Sequence, residues 1–583
     1  MSLDLERPRS RAPRGAIAGA LAVIASALLI LPGLGNAPFD DPGEGMHAEI
    51  ARELQRSGDP FALTLGGVRY VDKPPLLYAL LAAAFTLAGP GEAAARAVPA
   101  LAGLAAVAAT AWFGARLLGP GGGALAGLAL ATSPGFFAFT RYVRPETLFV
   151  AALASGFALC LTGLAEGRRG RVAAGLAAFG VAALAKDPLG ALAPPLALGA
   201  ALALGGRARP LGRWLPWPGV AAGAVLGFGW WVLAERRTPG FLWYTLVDNH
   251  VLNVLGARWF PDEDVPLGAA AFLAVALLGA APWVLAACAT IVSLVRRRAW
   301  RDPAELPWVA LAVWAVGVLV AALASRFRLP HYGLPAYFAI ALLAARAWES
   351  GSRRSLLVAH AVLFVALGAA LAAFWAGDGG RFLDDVLGAT DVATRKSVAS
   401  AGVAPVPPWT AFRPLVGTTA LVFTLGALAA ALCAAVRPLA RHGGAIVVVA
   451  TLGCVLPSVA AGLSLVSTHR AAIAVGGVIA RAAAADDVVV HEGPLESSGA
   501  LEWYTGRRAV IVDGRRSVLA FGALRPEGRQ VFWDEPRLRQ AWAAGRVWLV
   551  SVRPPERSVA SRLPGARLVA SAGGRTLWVN AGP

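Results

Sequence analysis

The sequence predicts a polytopic α-helical membrane protein, with about thirteen transmembrane helices, that ends in a small soluble α/β domain. Three observations predict this. The 583 residues are 57% hydrophobic and 15% charged, with a mean hydropathy of +0.60. Apolar windows near the ~20 residues needed to cross a bilayer recur along the chain. From about Ser467 the long apolar runs give way to short β-type runs separated by Gly and Pro turns.

The net charge of +18 does not point to nucleic acid. The Arg clusters fall in short intervals between apolar helices, as positive-inside topology requires, and some are placed to meet anionic headgroups. The first apolar run, Ala16 to Leu34, follows the basic stretch Ser10 to Arg14 and is too long for the h-region of a cleavable signal. It reads as a first span with a cytoplasmic N-terminus. Cys160, Cys288, Cys433 and Cys454 all lie in apolar runs with no metal spacing, and read as small core residues.

Further spans are expected at about 94–117, 121–140, 145–165, 171–186, 189–205, 214–234, 267–293, 305–325, 331–347, 355–375, 413–436 and 444–466. The thirteen-residue run Leu76 to Ala88 is short for a span, and reads as a helix lying along the outer interface or re-entering it. Counting it as a span would invert every later loop and move the Arg clusters outside. The transmembrane domain is thus 1–466, with outer loops at 36–93 and 235–266, and the α/β domain is 467–583. Within the second loop, Phe241 to Arg258 reads as an interfacial amphipathic helix. An odd number of crossings puts the α/β domain outside. It carries no G-x-G-x-x-G, P-loop or Cys/His metal spacing, so stability or docking is its expected role.

The first outer loop is dense in chemistry: Asp40, Asp41, Glu44, His47, Glu49, Arg52 and Glu53, then Asp72-Lys73-Pro74-Pro75. Carboxylates and a lysine concentrated beside a bilayer are costly unless they act. Lysine usage sharpens this. Of 53 Lys plus Arg, only Lys73, Lys186 and Lys396 are lysines. Lys73 and Lys186 each stand at the edge of an apolar helix beside an Asp and before a proline, where a compact ammonium is wanted rather than a guanidinium; interfacial snorkelling is the alternative. Lys396 carries no assignment.

On this topology three clusters face outward: Asp40/Asp41/Glu44 with Lys73; Arg141, Arg144 and Glu146; and Lys186-Asp187, joined by His250 and His331. Cations there can neutralise a phosphate, and a carboxylate can take a proton from an attacking hydroxyl. An ion or solute transporter with a polar path stays open, although a transporter's sites usually lie near midplane. Structural readings stand beside these. Asp40 and Asp41 can cap a helix. Arg141 can anchor a helix end, His331 can be an interfacial histidine, and Glu49 and Glu53 can be the solvated face of a short helix. Trp230, Trp231 and Trp243 read as interface belt.

The run Asp41-Pro42-Gly43-Glu44-Gly45-Met46-His47-Ala48-Glu49-Ile50-Ala51-Arg52-Glu53, then Ser57-Gly58-Asp59 and Asp72-Lys73-Pro74-Pro75-Leu76, resembles the first outer loop of lipid-linked-sugar glycosyltransferases. These are the ArnT-like aminoarabinose transferases of lipid A and, more distantly, the protein O-mannosyltransferases. Tyr142 to Thr147, Lys186-Asp187, Asp248-Asn249-His250 and Leu329-Pro330-His331-Tyr332 resemble later landmarks, so the likeness covers about residues 15–350. It implies a GT-C enzyme of the cytoplasmic membrane that takes a sugar from a polyprenyl-phosphate donor, with inversion, and gives it to a glycolipid or protein acceptor outside. Membrane lipids, and no nucleic acid, are its other expected partners. Lys73, Lys186, Arg52 and Arg144 would bind donor phosphate. Asp41, Glu44 and Glu146 would be the catalytic carboxylates, and His250, His331 and Tyr332 would contact substrate. A divalent cation on Asp41 and Glu44 is an open expectation. The chain departs from the family at Gly43, where an Asp usually precedes the Glu matching Glu44. Asp41 is expected to replace it through the Pro42-Gly43 turn, with Asp40, or a base elsewhere, as the alternative. The rival reading from another class is a transporter or flippase of a lipid-linked glycan.

Overall fold

The computed structural model describes residues 12–260, 264–401, 406–514 and 519–580. Ser10 and Arg11 of the basic N-terminal stretch lie outside these. The protein is a multi-pass helical membrane protein, and each expected span contains helix. Seven described helices are long and apolar enough to cross a bilayer, or eight if one sharply bent pair is a single span. The remaining segments are shorter than a full crossing or broken, and the breaks have sequence causes.

The runs expected at 94–117 and 121–140 form helix from Glu92 to Ala131, interrupted at Gly119 (φ 82°) before Pro120. Only glycine adopts that left-handed backbone readily, and Pro120 opens the next segment without needing a donor. The second run then stops at Thr132 and restarts as Pro134–Thr140, instead of continuing unbroken. The span expected at 267–293 is likewise two helices, Ala269–Gly279 and Trp283–Arg296, meeting at 101°. Pro282 lies in the break and cannot supply the N–H a continuous helix would use.

The expected interfacial helix in the second loop is present as a π-helix, Trp243–Leu252, running into Asn253–Leu255. Trp243, Leu246, Val251, Val254 and Leu255 are exposed, while Tyr244, Thr245 and Asp248 are buried. The apolar face is therefore outermost, as an element embedded at a lipid interface requires. Leu76–Ala88 is also a single short helix, with Leu80 and Leu87 exposed.

In the first loop, helix Gly43–Ser57 is followed by a hairpin of β1 (Thr64–Leu65) and β2 (Val68–Arg69). Its two-residue turn, Gly66-Gly67, has φ of 58° and 77°, the paired positive values of a tight hairpin turn. The C-terminal sheet contains β3 (Val488–Glu492), β4 (Val510–Val512), β5 (Phe532–Trp533), β6 (Val547–Ser551), β7 (Arg567–Ala572) and β8 (Arg575–Val579), in the order β5-β4-β3-β6-β8-β7. β5, β4, β3 and β6 are mutually parallel, and β8 and β7 close the edge antiparallel. β5 is an addition to the expected runs, and the Arg-rich interval before β6 is largely helix, Glu535–Ala544.

The loops and this sheet domain meet at one end of the bundle. Tyr504 Oη accepts from Phe39 N at 2.7 Å and donates to Glu92 at 2.8 Å. Trp230 Nε1 donates to Pro60 O at 2.8 Å, and Lys396 pairs with Glu496. The contact between helix Gly43–Ser57 and helix Gly499–Thr505 is backbone-close. A Cβ on Gly45 would lie 2.4 Å from Ala500 Cβ, and one on Gly499 would lie 2.6 Å from Met46 Cα. Neither fits without separating the helices.

Candidate active site

Two clusters of buried charge share the Arg141–Glu146 segment. The first surrounds Glu146, which opens helix Glu146–Glu166 and is 3% exposed. Lys186 Nζ lies 3.6 Å from Glu146 Oε1, His331 Nε2 lies 3.5 Å from the same oxygen, and Arg144 Nε lies 3.8 Å from Oε2. These contacts are long for direct hydrogen bonds, so the carboxylate collects charge without consuming every donor. The Lys186 ammonium also lies 5.5 Å from the Phe149 ring centre and 5.7 Å from that of Tyr332. An ammonium over aromatic faces is held while its remaining donors stay available.

Lys73 and His47 adjoin this cluster. Lys73 Nζ is 2.5 Å from Asp72 Oδ2, and Asn249 Nδ2 donates to Asp72 Oδ1 at 3.4 Å. The Lys73 ammonium, with a smaller contribution from Arg258, holds the Asp72 carboxyl below its ordinary range despite burial. His47 contacts Tyr78 Oη at 2.9 Å, and Tyr78 donates to Tyr70 at 3.0 Å. Burial, then the Arg144 charge, lowers the His47 ring to about 3, so it is neutral at physiological pH. The cluster has Lys73, Arg144 and Lys186 facing Glu146 and Asp72. With neutral histidines this is an excess of one positive charge in a place shielded from water, which favours an anion.

The second cluster holds the first-loop acids. Glu44 is fully occupied. Arg96 donates Nε to Oε1 at 2.9 Å and Nη2 to Oε2 at 2.6 Å, Val143 N donates to Oε1 at 3.0 Å, and Asp40 N donates to Oε2 at 3.2 Å. Asp40 accepts from Tyr142 Oη at 2.9 Å and faces Arg470, which is paired more closely with Asp391 at 2.8 Å. Asp41 is paired with Arg575 of β8. Burial, opposed by Arg470 for Asp40 and by Arg575 for Asp41, pushes both carboxyls up to about 6. A cation shared by Asp41 and Glu44 does not fit. Each already faces a guanidinium, and Glu44 has no oxygen left over.

The expected set is therefore divided. The structure brings Glu146, Lys186, Arg144, His331 and Tyr332 together, with Lys73 adjoining. Asp41 and Glu44 sit in the neighbouring cluster. Arg52 is turned elsewhere: it donates to the carbonyls of Glu502 (2.9 Å) and Trp503 (3.1 Å), pairs with Glu49 at 2.6 Å and stacks on the Trp503 ring. His250 Nδ1 is engaged by the carbonyl of Thr245 at 2.5 Å. Arg141 donates to the Ile30 carbonyl at 2.5 Å, which matches its reading as a helix-end anchor. Glu49 and Glu53 are not a solvated face. They are 2% and 6% exposed, because the sheet domain covers that side of the helix.

Sequence reasoning missed Arg96, Arg470 and Arg575. Arg96 had a signal, being a lone arginine inside an apolar run. Arg575 lies in a β-strand more than 500 positions from Asp41, and no local pattern links them. The Gly43 departure also acquires a cause. A Cβ at position 43 would lie 2.1 Å from Tyr142 Oη, so the tyrosine that bonds Asp40 occupies the space a side chain there would need.

A family model described as dolichyl-phosphate-mannose-protein mannosyltransferase matches residues 72–232, the stretch that carries Lys73, Arg144, Glu146 and Lys186. The structure of ArnT from Cupriavidus metallidurans bound to undecaprenyl phosphate is similar with a TM-score of 0.75 at 23% identity, covering 96% of this chain and 98% of that one. ArnT from the same organism in the apo state gives a TM-score of 0.76 at 22% identity, covering 98% of each chain. No curated protein matches by sequence. The fold is thus the ArnT-like GT-C fold, including its C-terminal domain.

Proposed function

We propose that the protein is a glycosyltransferase of the cytoplasmic membrane. It transfers a glycosyl group from a polyprenyl-phosphate donor to a lipid, or another envelope acceptor, on the outer side. The N-terminus is then cytoplasmic, and residues 467–583 form an outer domain. The observation that carries this reading is the convergence of Lys186, Arg144 and His331 on Glu146 with Lys73 alongside. The Lys73 and Lys186 ammonium groups and the Arg144 guanidinium bind the donor phosphate and neutralise it as it leaves. Glu146 sets their positions. Asp41, with its raised pKa, receives the acceptor proton.

In the step, the acceptor oxygen forms a bond to the anomeric carbon as the bond from that carbon to the phosphate oxygen breaks, with inversion. The acceptor proton passes to Asp41, and the released phosphate charge stays with Lys73, Arg144 and Lys186. Arg575 must yield part of its hold on Asp41 when acceptor binds.

The test is donor binding and sugar transfer measured side by side. Lys73→Ala should lose both, with transfer down about 10²–10³-fold. Asp41→Asn should bind donor normally yet lose transfer. Wild-type transfer in both variants would remove the assignment. Mass spectrometry of envelope lipids and proteins, with and without the protein, identifies the acceptor class. The mannosyltransferase likeness of residues 72–232 favours a protein acceptor as the second reading.

A further inference from the structure

Outside the candidate active site, three buried carboxylates meet where the first outer loop joins the sheet domain. Glu49 and Glu53 lie one turn apart on helix Gly43–Ser57, and Glu502 comes from helix Gly499–Thr505. One oxygen from each lies within 4.8 Å of the others. Glu502 is 1% exposed. Three like charges in a dry contact repel strongly unless something neutralises them.

The protein groups present do so incompletely. Arg52 pairs with Glu49 at 2.6 Å. Glu53 accepts from the Thr64 hydroxyl and from Gly67 N at 3.3 Å. Glu502 Oε1 accepts from Ala509 N at 3.3 Å and Ser498 Oγ at 3.4 Å, while Oε2 accepts no hydrogen bond from any described residue. A fully buried carboxylate oxygen without a donor is a feature that wants a ligand.

We propose that Glu49, Glu53 and Glu502 hold one hard divalent cation of the calcium class, which joins the first outer loop to the C-terminal domain. The donor set is all oxygen, with no His or Cys, which selects against zinc and copper. The spacing fits as well. Oxygens around Ca²⁺ lie about 2.3–2.6 Å from the ion, so ligands on opposite sides are separated by roughly 4.6–5.2 Å. Mg²⁺ draws its ligands in to about 2.0–2.1 Å and usually keeps several waters, which a buried junction of three carboxylates accommodates less well. The ligands come from two segments 450 positions apart, brought together by the glycine contact of Gly45 with Ala500 and of Gly499 with Met46. The ion would therefore act as a staple between domains, separate from the Glu146 cluster.

The rival arrangement is a proton shared among the carboxyls. Burial, with Glu49 and Glu53 adding to it, raises Glu502 well above the ordinary carboxylate range. The two arrangements separate in an experiment on the full-length protein in detergent, stripped with EDTA and dialysed. Calcium chloride and magnesium chloride are titrated separately while heat uptake and thermal unfolding are followed. The expected result is one saturable Ca²⁺ per chain, a rise in Tm at saturation, and a weaker response to Mg²⁺. Glu502→Gln and Glu53→Gln should each abolish the Ca²⁺-dependent rise while folding at least as well as the stripped wild type, because each removes a repelling charge. The proposal is overturned if the wild type shows no saturable Ca²⁺ response. It is equally overturned if both variants keep the full response, since the ion would then bind elsewhere. Sugar transfer is not a readout here, so the outcome is independent of the proposed activity.

Discussion

Lys73 and Lys186 show how residue choice predicts location. A chain that writes arginine almost everywhere keeps lysine at three places. Two of them lie in or beside the Glu146 cluster, and the third, Lys396, is buried against Glu496 at the domain junction. A compact ammonium fits beside a carboxylate and over aromatic rings where a guanidinium fork would need more room. Asp41 titrates in the region that matters for activity. Its carboxyl, pushed up to about 6 by burial, is charged above that pH and neutral below it. If it accepts the proton, transfer should fall about tenfold per pH unit on going below 6. His47, lowered to about 3, cannot produce that limb. A pH profile flat from 5 to 8 in the wild type would exclude Asp41 as base. Position 43 gives a second residue-scale expectation. Gly43→Asp, which restores the usual acid of the resembling enzymes, should be disruptive alone and partly rescued by adding Tyr142→Ala, as read by thermal unfolding.

At the level of elements, the Glu44–Arg96 pair fixes the entry of the first loop onto the bundle. Arg96 also donates to the carbonyls of Leu34, Ala37 and Pro38 at 2.6–2.9 Å, so one guanidinium braces the turn segment that leads from the first helix into the loop. Removing one member of a buried pair leaves the other charge uncompensated, at about 3–5 kcal/mol. Arg96→Met should therefore lower the unfolding midpoint sharply, and an unchanged midpoint would show that the loop is held by something else. The helix break at Gly119-Pro120 was readable as punctuation, whereas the expected span at 267–293 ran straight through the break at Pro282. The 101° angle at that break was not legible either, because a proline says that a helix ends and not in which direction the next one leaves.

For the whole molecule, the docking of the C-terminal domain decides which groups are buried. Arg575 reaches Asp41, Arg52 reaches the backbone at Glu502 and Trp503, and Tyr504 bonds Phe39 and Glu92. Arg575→Met should leave Asp41 buried without its cation and loosen the domain. Limited proteolysis of the variant is expected to release a C-terminal fragment faster than from the wild type, with equal rates counting against a docking role for this pair. The proposed topology is checked by single-cysteine labelling of intact cells in a cysteine-free background. Ser561→Cys should react with a membrane-impermeant thiol reagent and Arg169→Cys should not. Reaction at Arg169→Cys only would invert the orientation.

The amino-acid sequence by itself determined the membrane class, the approximate positions of the apolar helical segments, the change of architecture after Ser467 and the segments that supply the candidate site. Each of these is written in local periodicity, in the placement of arginine or in short runs of polar residues. Only the tertiary structure decided which charges meet. It assigned Glu146 to Lys186 and His331, Asp41 to Arg575, Glu44 to Arg96, and Glu49 and Glu53 to a buried junction with Glu502. The physical reason is that hydrophobic pattern acts over a few residues along the chain. The partner of a buried charge is whichever opposite group the packed helices and sheet carry to within a few ångströms, whatever its distance in sequence.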